Sequence, residues 1–122
     1  MSDNKRIKLI AVARTPREHE AGFQFVPSVA PDTGMLFKFD SPKVLSFWMS
    51  NTYIPLDIAF INGGRIVKIE RMIPLSLRTV SSGRPCDMAL EVSAGTLSEG
   101  GVVPGFKVLV SDDESEAVIG PD

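Results

Sequence analysis

The stretch LDIAFINGGRIVKIE, residues 56–70, decides the fold because it places two strand patterns around a tight-turn signal. Branched and aromatic residues alternate with other residues on both sides of the glycines, which is typical of a β-hairpin. Asn62-Gly63 is the preferred pair for a type I′ turn because both central residues need positive φ, and Gly63-Gly64 is the competing pair. The sequence therefore predicts a hairpin with strands at 56–61 and 65–72.

The charges on the two strands favour Asn62-Gly63 as the turn. With that pair at the tip, Asp57 lies opposite Lys68, whereas Gly63-Gly64 would place Asp57 opposite Glu70. A pair of opposite charges stabilises an antiparallel ladder by roughly 0.2–1 kcal/mol, and a pair of like charges destabilises it. We therefore expect the Asn62-Gly63 turn.

Both turns predict the same apolar face for the hairpin, since they differ by two residues in pairing. The residues expected on this face are Leu56, Ile58, Phe60, Val67 and Ile69. Asp57 then points away from it, where a carboxylate needs no burial. If a second layer covers Asp57, Lys68 or an arginine must accompany it.

Similar strand patterns separated by turn signals occur along the rest of the chain. They predict strands at 7–13, 35–39, 44–49, 88–92 and 107–111, with a turn at Asp40-Ser41-Pro42. Met35, Phe37 and Phe39 share one face of their strand. The domain is expected to be mainly β, with α+β at the margin.

One short helix interrupts the strands near residues 16–21. Thr15 suits the N-cap, Pro16 suits the first helical position, and Glu18 completes a capping box. Gly22 is expected to end the helix.

Composition excludes several classes of protein. The 122 residues predict a single domain, 1–122, and a net charge of −2 argues against a nucleic-acid binder. The N-terminal apolar run is too short for a signal peptide or a membrane span, which favours a cytoplasmic protein without membrane contact.

Residues 112–122 form an acidic C-terminal tail that is expected to be solvated. The single cysteine, Cys86, permits no internal disulfide and is expected to be a packed side chain.

Motifs for metals and cofactors are missing from the sequence. His19 is the only histidine, and it is expected at a solvated helix position rather than in a zinc site. The chain has no nucleotide-binding glycine motif, so we expect no cofactor and no metal. The segment SSGRPC, residues 81–86, offers turn amides and Arg84 to an anion, although an arginine paired with an aspartate explains it better.

Two other groups of side chains have chemical potential. Trp48 and Tyr53 with Phe47 can stack on a planar or sugar-like ligand, although packing is the simpler interpretation. Paired carboxylates are conceivable among four acidic strand residues, although such residues more often face solvent or pair with lysine and arginine: Asp57, Glu70, Asp87 and Glu91.

The chain resembles the prokaryotic family known as domain of unknown function 192. The matching segments are GMLFKF at 34–39, SFWMSNTYIPLDIAFI at 46–61, GRIVKI at 64–69 and VSSGRPCDMALEVSAG at 80–95. The resemblance implies a compact antiparallel or mixed β-barrel-like domain and supplies no activity. The chain departs from the family pattern at 23–26, where Leu-Met and then an arginine are common, and at Gly105-Phe106, where Gly-Asp is usual. If polar residues of the family define a shared ligand site, this member has lost part of it.

Two hypotheses follow. The first is a non-enzymatic binding or interaction module, a structural component of a larger assembly, which contacts a protein partner or a second copy through its termini. Val118 and Ile119 would then add a strand to a neighbour's sheet edge. The alternative is a small enzyme or sugar-like ligand-binding protein with a polar site formed by Trp48, Asn51, Thr52, Asp57 and Arg84. There Asn51 would orient a substrate, Asp57 would act as a base, and Arg84 would hold an anion.

Overall fold

Seven β-strands and one short helix build residues 4–122, the part of the chain that the computed structural model describes. The first three residues of the predicted domain lie outside this range. The strands are β1 (Lys5–Ala13), β2 (Thr33–Phe47), β3 (Leu56–Asn62), β4 (Arg65–Met72), β5 (Val80–Ser93), β6 (Lys107–Val110) and β7 (Glu116–Gly120), and the helix is α1 (Pro16–Ala21).

The strands close into a barrel in the order β1-β2-β5-β3-β4-β6-β7. The β1–β2 pair is parallel, and the other strand pairs are antiparallel. The prediction of a mainly β, mixed barrel-like domain with one short helix at 16–21 is confirmed.

The start of α1 follows the sequence prediction. Thr15 accepts a hydrogen bond from the Glu18 N–H, and the Glu18 carboxylate accepts one from the Thr15 N–H at 3.0 Å. Gly22 ends the helix with φ 45°, a conformation that residues with a Cβ rarely adopt. Within residues 4–122 no helix has the length and apolar character needed to cross a membrane.

The β3–β4 hairpin differs from the prediction. Asn62 pairs with Arg65, so the turn is Gly63-Gly64, with φ of 59° and 79°. A bulge next to Phe60 and Ile61 leaves Val67 without a partner on β3, and the pairing shifts by one residue. The prediction of Asn62-Gly63 is therefore wrong.

The bulge also changes the partner of Asp57. This residue pairs with Arg71 rather than with Lys68 or Glu70, so the like charges that counted against the Gly63-Gly64 turn never meet. Ile69 pairs with Ala59 and therefore lies on the opposite face from Ile58, contrary to the prediction, whereas Val67 stays with Phe60.

Two apolar clusters cover the two faces of the central strands. The barrel core takes side chains from all seven strands, including Leu36, Leu90 and Val92. The outer cluster lies on the other face of β2, β3 and β5 and contains Phe23 and Met49 from the segments beside them. Its remaining buried members are Ala13, Phe37, Leu45, Leu56, Ile58, Phe60, Met72, Cys86 and Ala89. Because both faces are covered, every residue of β3 except its last is buried.

β2 is one strand across the expected turn at residues 40–42. Its pairing with β5 shifts between Lys38 and Lys43, so the Asp40-Ser41-Pro42 signal produces an irregularity instead of a chain reversal. β5 is correspondingly longer than predicted, because its first half, from Val80, pairs with the second half of β2.

The acidic C-terminal segment is part of the barrel. Residues Glu116–Gly120 form β7, which pairs with β6 on one edge and β1 on the other. The expectation that Val118 and Ile119 add a strand to a neighbouring chain is wrong, since both edges of their strand are already paired. Glu114, in the preceding turn, forms ion pairs with Arg14 and Lys38.

Gly34 is required by the close contact between β2 and β5. A Cβ at this position would lie 2.6 Å from the Glu91 carbonyl oxygen and 2.6 Å from Val92 Cγ1. We expect Gly34→Ala to lower the free energy of unfolding by about 1–3 kcal/mol, because the sheet must shift to admit the methyl group. Urea denaturation would measure the loss. Ser41→Ala, an exposed change in the same strand, is the control, and equal stabilities of the two variants would contradict the prediction.

Candidate functional site

A cleft of about 430 Å³ lies on the outer cluster. We call it the α1 cleft, because α1 and the residues after it form one side, while β2 and the residues after it form another. Aromatic rings line it: Phe23, Phe37, Phe39, Phe47, Trp48 and the imidazole of His19. Its charged lining residues are Glu20, Lys43 and Glu91. An apolar cleft of this size with few polar groups is typical of small-molecule sites.

Glu91 is the unusual residue of the α1 cleft. It pairs with Met35 on β2 and Ile58 on β3, which directs its side chain towards the outer cluster. Only 4% of its surface is exposed. Among residues 4–122 its carboxyl group accepts no hydrogen bond from the protein and forms no ion pair within 4.0 Å. Burial raises its pKa to about 8, so the folded protein holds it mostly protonated at neutral pH.

The end of α1 lies directly beside this carboxyl group. A Cβ at Gly22 would lie 3.7 Å from Glu91 Oε1 and 3.6 Å from Phe37 Cζ, which is ordinary contact. The glycine is therefore required by its positive φ rather than by lack of space. It lets the chain leave the helix and turn across the cleft.

His19 takes part in the wall of the cleft and is not a free helix residue. Its ring stacks on Phe39 with centroids 4.0 Å apart. Nε2 lies 3.1 Å from the Ala13 carbonyl and 2.8 Å from the Lys38 carbonyl, so this nitrogen donates its hydrogen to backbone oxygens. The expectation of a solvated position is wrong, because the imidazole fastens α1 to β1 and β2.

Two of the predicted site residues line the α1 cleft. Trp48 has 48% of its surface exposed, whereas Thr52 is buried. Thr52 Oγ1 donates to the Ser50 carbonyl at 3.2 Å. Tyr53 lies outside the lining and instead approaches Phe25, with ring centroids 6.3 Å apart.

Asn51 lies in the tight turn between Trp48 and Thr52. It has a φ of 56°, and the Thr52 N–H donates to the Met49 carbonyl across it. Asparagine tolerates this left-handed conformation better than most residues, which explains its place at the third position of a tight turn. Its carbonyl accepts a hydrogen bond from the Phe25 N–H at 2.8 Å.

Asp57 lies on the other face of the sheet and is fully buried. Oδ1 accepts a hydrogen bond from Arg71 Nε at 2.8 Å. Oδ2 accepts from the N–H groups of Gly95, Leu97 and Ser98 and from Ser98 Oγ at 3.0–3.1 Å. Burial alone raises the pKa of Asp57, but the hydrogen bonds outweigh it and hold the pKa below its ordinary value.

Arg84 is far from Asp57. Asp57 pairs with Val92 on β5, and Arg84 precedes Val92 by enough residues to separate them by roughly 25 Å of strand. In the SSGRPC segment, the Gly83 N–H already donates to Ser81 Oγ at 3.0 Å. Of the five predicted site residues, the structure brings together only Trp48 and Thr52. The sequence marks Glu91 only as one of four acidic strand residues, because alternation alone does not show that both faces of β5 are covered.

Comparison with known proteins identifies the family of this chain. The family model of domain of unknown function 192 (DUF192), described as an uncharacterized ACR family, matches residues 1–110. The chain belongs to the DUF192 family.

Two solved structures share the DUF192 barrel. One, from Sinorhizobium meliloti 1021, is provisionally named a transcription regulator; it is 32% identical, with a TM-score of 0.75, and the match covers 98% of this chain and 95% of that one. The other, from Novosphingobium aromaticivorans DSM 12444, has unknown function; it is 31% identical, with a TM-score of 0.77, and the match covers 81% and 73% of the two chains. No curated protein sequence matches significantly.

The departures from the DUF192 pattern fall in two places. Phe23 and Gln24, from the first segment expected to depart from the pattern, line the α1 cleft. Phe106 packs against the barrel core, and its carbonyl accepts a hydrogen bond from the Ile66 N–H at 2.9 Å. Whether this member has lost part of a shared ligand site stays a prediction.

Replacing Asp57 tests whether it is a structural residue of this DUF192 protein. We expect Asp57→Asn to lower the free energy of unfolding by about 3–5 kcal/mol, because it leaves buried donors without their acceptor. Arg71→Met should cost less, since the guanidinium is partly exposed and Asp57 keeps its other donors. The folded pKa is depressed, so this stability is present above the unfolded pKa and is lost as the pH falls through the folded pKa. Urea denaturation at neutral and acidic pH would show it; equal losses in the two variants would contradict it.

Glu91 predicts the opposite pH dependence. Its folded pKa of about 8 lies above its ordinary value of 4.5. The folded state therefore keeps a proton that the unfolded state has lost, and stability falls by about 1.4 kcal/mol per pH unit in this window. We expect Glu91→Gln to match the wild-type stability near the ordinary pKa and to exceed it as the pH approaches 8.

Urea denaturation of both proteins across that pH range would measure this difference. Glu20→Gln changes an exposed carboxylate of the same cleft and is the control. Parallel stability curves for the wild type and Glu91→Gln would contradict the prediction.

Proposed function

We propose that this protein is a binding module whose α1 cleft takes a small organic molecule. The observation that supports this most strongly is Glu91, a buried carboxyl group without a partner in residues 4–122, which lines an aromatic cleft. A leucine at this position would stabilise the outer cluster, whereas a buried ionisable group without partners destabilises the fold. Residues that cost stability in this way are concentrated at functional sites.

The surroundings of Glu91 suit a bound molecule. Rings on both sides of the cleft offer apolar surface, and the half-exposed Trp48 indole at its edge can cover one face of a planar ligand. Glu91 supplies a polar group at the base, which would fix the orientation of the ligand.

The contrast with Asp57 separates structural from functional carboxylates. Asp57 has five hydrogen bonds and no remaining role for a substrate. The proposed enzyme with Asp57 as base and Arg84 as anion holder therefore lacks support, because these residues lie apart and Asp57 is already occupied. Ligand binding without catalysis remains the simpler proposal.

Assembly through the termini has less support than ligand binding. The segment expected to reach a partner, 118–119, is instead paired within the barrel. The name of the Sinorhizobium relative is compatible with a module that senses a ligand, whereas direct contact with nucleic acid would need a basic surface that a net charge of −2 does not favour.

Ligand screening with two matched variants would test the proposal. A metabolite library is screened by thermal shift, and each hit is measured by calorimetry with the wild type, Trp48→Ala and Tyr53→Ala. Trp48 and Tyr53 have similar exposure, 48% and 52%, but only Trp48 lines the cleft. We expect Trp48→Ala to weaken binding about tenfold, in line with the loss of a stacked ring, and Tyr53→Ala to have little effect. Absence of any hit, or equal effects of the two variants, would contradict the proposal.

A further inference from the structure

The charged groups of the α1 cleft indicate which ligands it can accept. Besides Glu91, the groups that can carry charge are Glu20 and His19 from α1 and Lys43 from β2. No ion pair within 4.0 Å joins Lys43 to a carboxylate in residues 4–122. Glu91 is therefore the most buried ionisable residue of the cleft, and no cation in residues 4–122 forms an ion pair with it.

The aromatic wall already attracts a cation of the protein itself. Lys43 Nζ lies 5.2 Å from the centroid of the Phe39 ring, within the range of a cation–π interaction. His19 also stacks on Phe39, with ring centroids 4.0 Å apart. An ammonium group is thus stable at the mouth of the cleft, against a ring rather than against a carboxylate.

We propose that the ligand of the α1 cleft is an organic cation: a primary ammonium with an apolar body, whose N–H groups donate to the Glu91 carboxylate. This rests on the binding function proposed above and names its ligand class. The apolar body lies among the rings, and the positive charge compensates a carboxylate that the fold leaves unpaired. An anionic ligand would be repelled by Glu20, and a neutral ligand would form no charge-assisted hydrogen bond with Glu91.

Binding is coupled to the loss of a proton. Free Glu91 is mostly protonated below pH 8, whereas the bound ammonium stabilises the ionised carboxylate. The cation enters, the Glu91 proton leaves to solvent, and the charge of the site stays balanced. Below the pKa of free Glu91, affinity should therefore rise about tenfold per pH unit, while a primary amine stays protonated.

Calorimetry with three probes of the same shape would test the ligand class. Phenethylammonium is the cation, phenethyl alcohol is its neutral counterpart, and phenylacetate is the anion. We expect the cation to bind at least about tenfold more tightly than the alcohol at pH 8, because its hydrogen bond to Glu91 is charge-assisted. Titrations at pH 7 in buffers of different ionisation enthalpy should show release of nearly one proton.

Variants of three ionisable lining residues identify the group responsible. Glu91→Gln should remove the preference for the cation and the proton release, while the alcohol binds as before. Glu20→Gln, an exposed carboxylate of the same cleft, should weaken binding of the cation less than Glu91→Gln does and should leave the proton release unchanged. Lys43→Met should strengthen binding of the cation severalfold, because it removes a tethered competitor and a repelling charge. A pH dependence that persists in Glu91→Gln would come from a group other than Glu91 and would overturn the proposal.

The outcomes separate this inference from the binding function. If the alcohol or the anion binds as tightly as the cation, the ligand class is wrong and the cleft remains a binding site. If none of the three probes binds, the cation inference is overturned, whereas the binding function depends on the library screen with Trp48→Ala and Tyr53→Ala.

Discussion

The hydrogen bonds of the Asp57 carboxylate are the interaction on which one end of the barrel depends. Its five hydrogen bonds join β3 to Arg71 of β4 and to the turn at residues 95–98. That turn carries Leu97, which is fully buried in the barrel core. Removal of the acceptor would free the turn and expose the core, so a single charge controls how one end of the barrel is covered. The network satisfies every requirement of a buried charge, which is why Asp57 belongs to the architecture.

Two carboxylates on neighbouring strands have opposite environments. Asp57 pairs with Val92, and Ile58 pairs with Glu91, so the two acids are adjacent in the ladder but point to opposite faces. Hydrogen bonds lower the pKa of Asp57 despite its burial, whereas burial without donors raises the pKa of Glu91. The same sheet thus contains one carboxylate that stabilises the fold, Asp57, and one carboxyl group that destabilises it, Glu91. This difference is the reason why we propose a function on the outer face, in the α1 cleft.

The local parts of the fold could be predicted from the sequence, and the pairing could not. The capping box at Thr15 and the end of α1 at Gly22 depend only on neighbouring residues, and both appear as expected. The hairpin register depended on a bulge at Val67, which no rule for two-residue turns includes. Matching of charges across the ladder assumes regular pairing. The bulge shifts the pairing by one residue, so that Asp57 pairs with Arg71. The sequence did not predict β7 as part of the barrel, because the acidic residues before it resemble a solvated tail. In the fold, strand pairing on both edges outweighs that composition.

The candidate site, like the fold, could be predicted from the sequence only in part. Trp48 and Thr52 stood out because a tryptophan and a polar residue interrupt an apolar run, and both line the cleft. Glu91 did not stand out, since a glutamate that alternates with apolar residues normally faces solvent. Its significance requires a second layer over β5, and that layer comes from α1 and Gly22, far away in sequence. Glu91 is a candidate functional residue because of what covers it, and such cover is a property of the tertiary fold. The cover is also incomplete in its chemistry. The segment from α1 to Phe23 brings the rings of His19 and Phe23 and the glycine at position 22, but no donor to Glu91. A ligand with its own donor would complete the site.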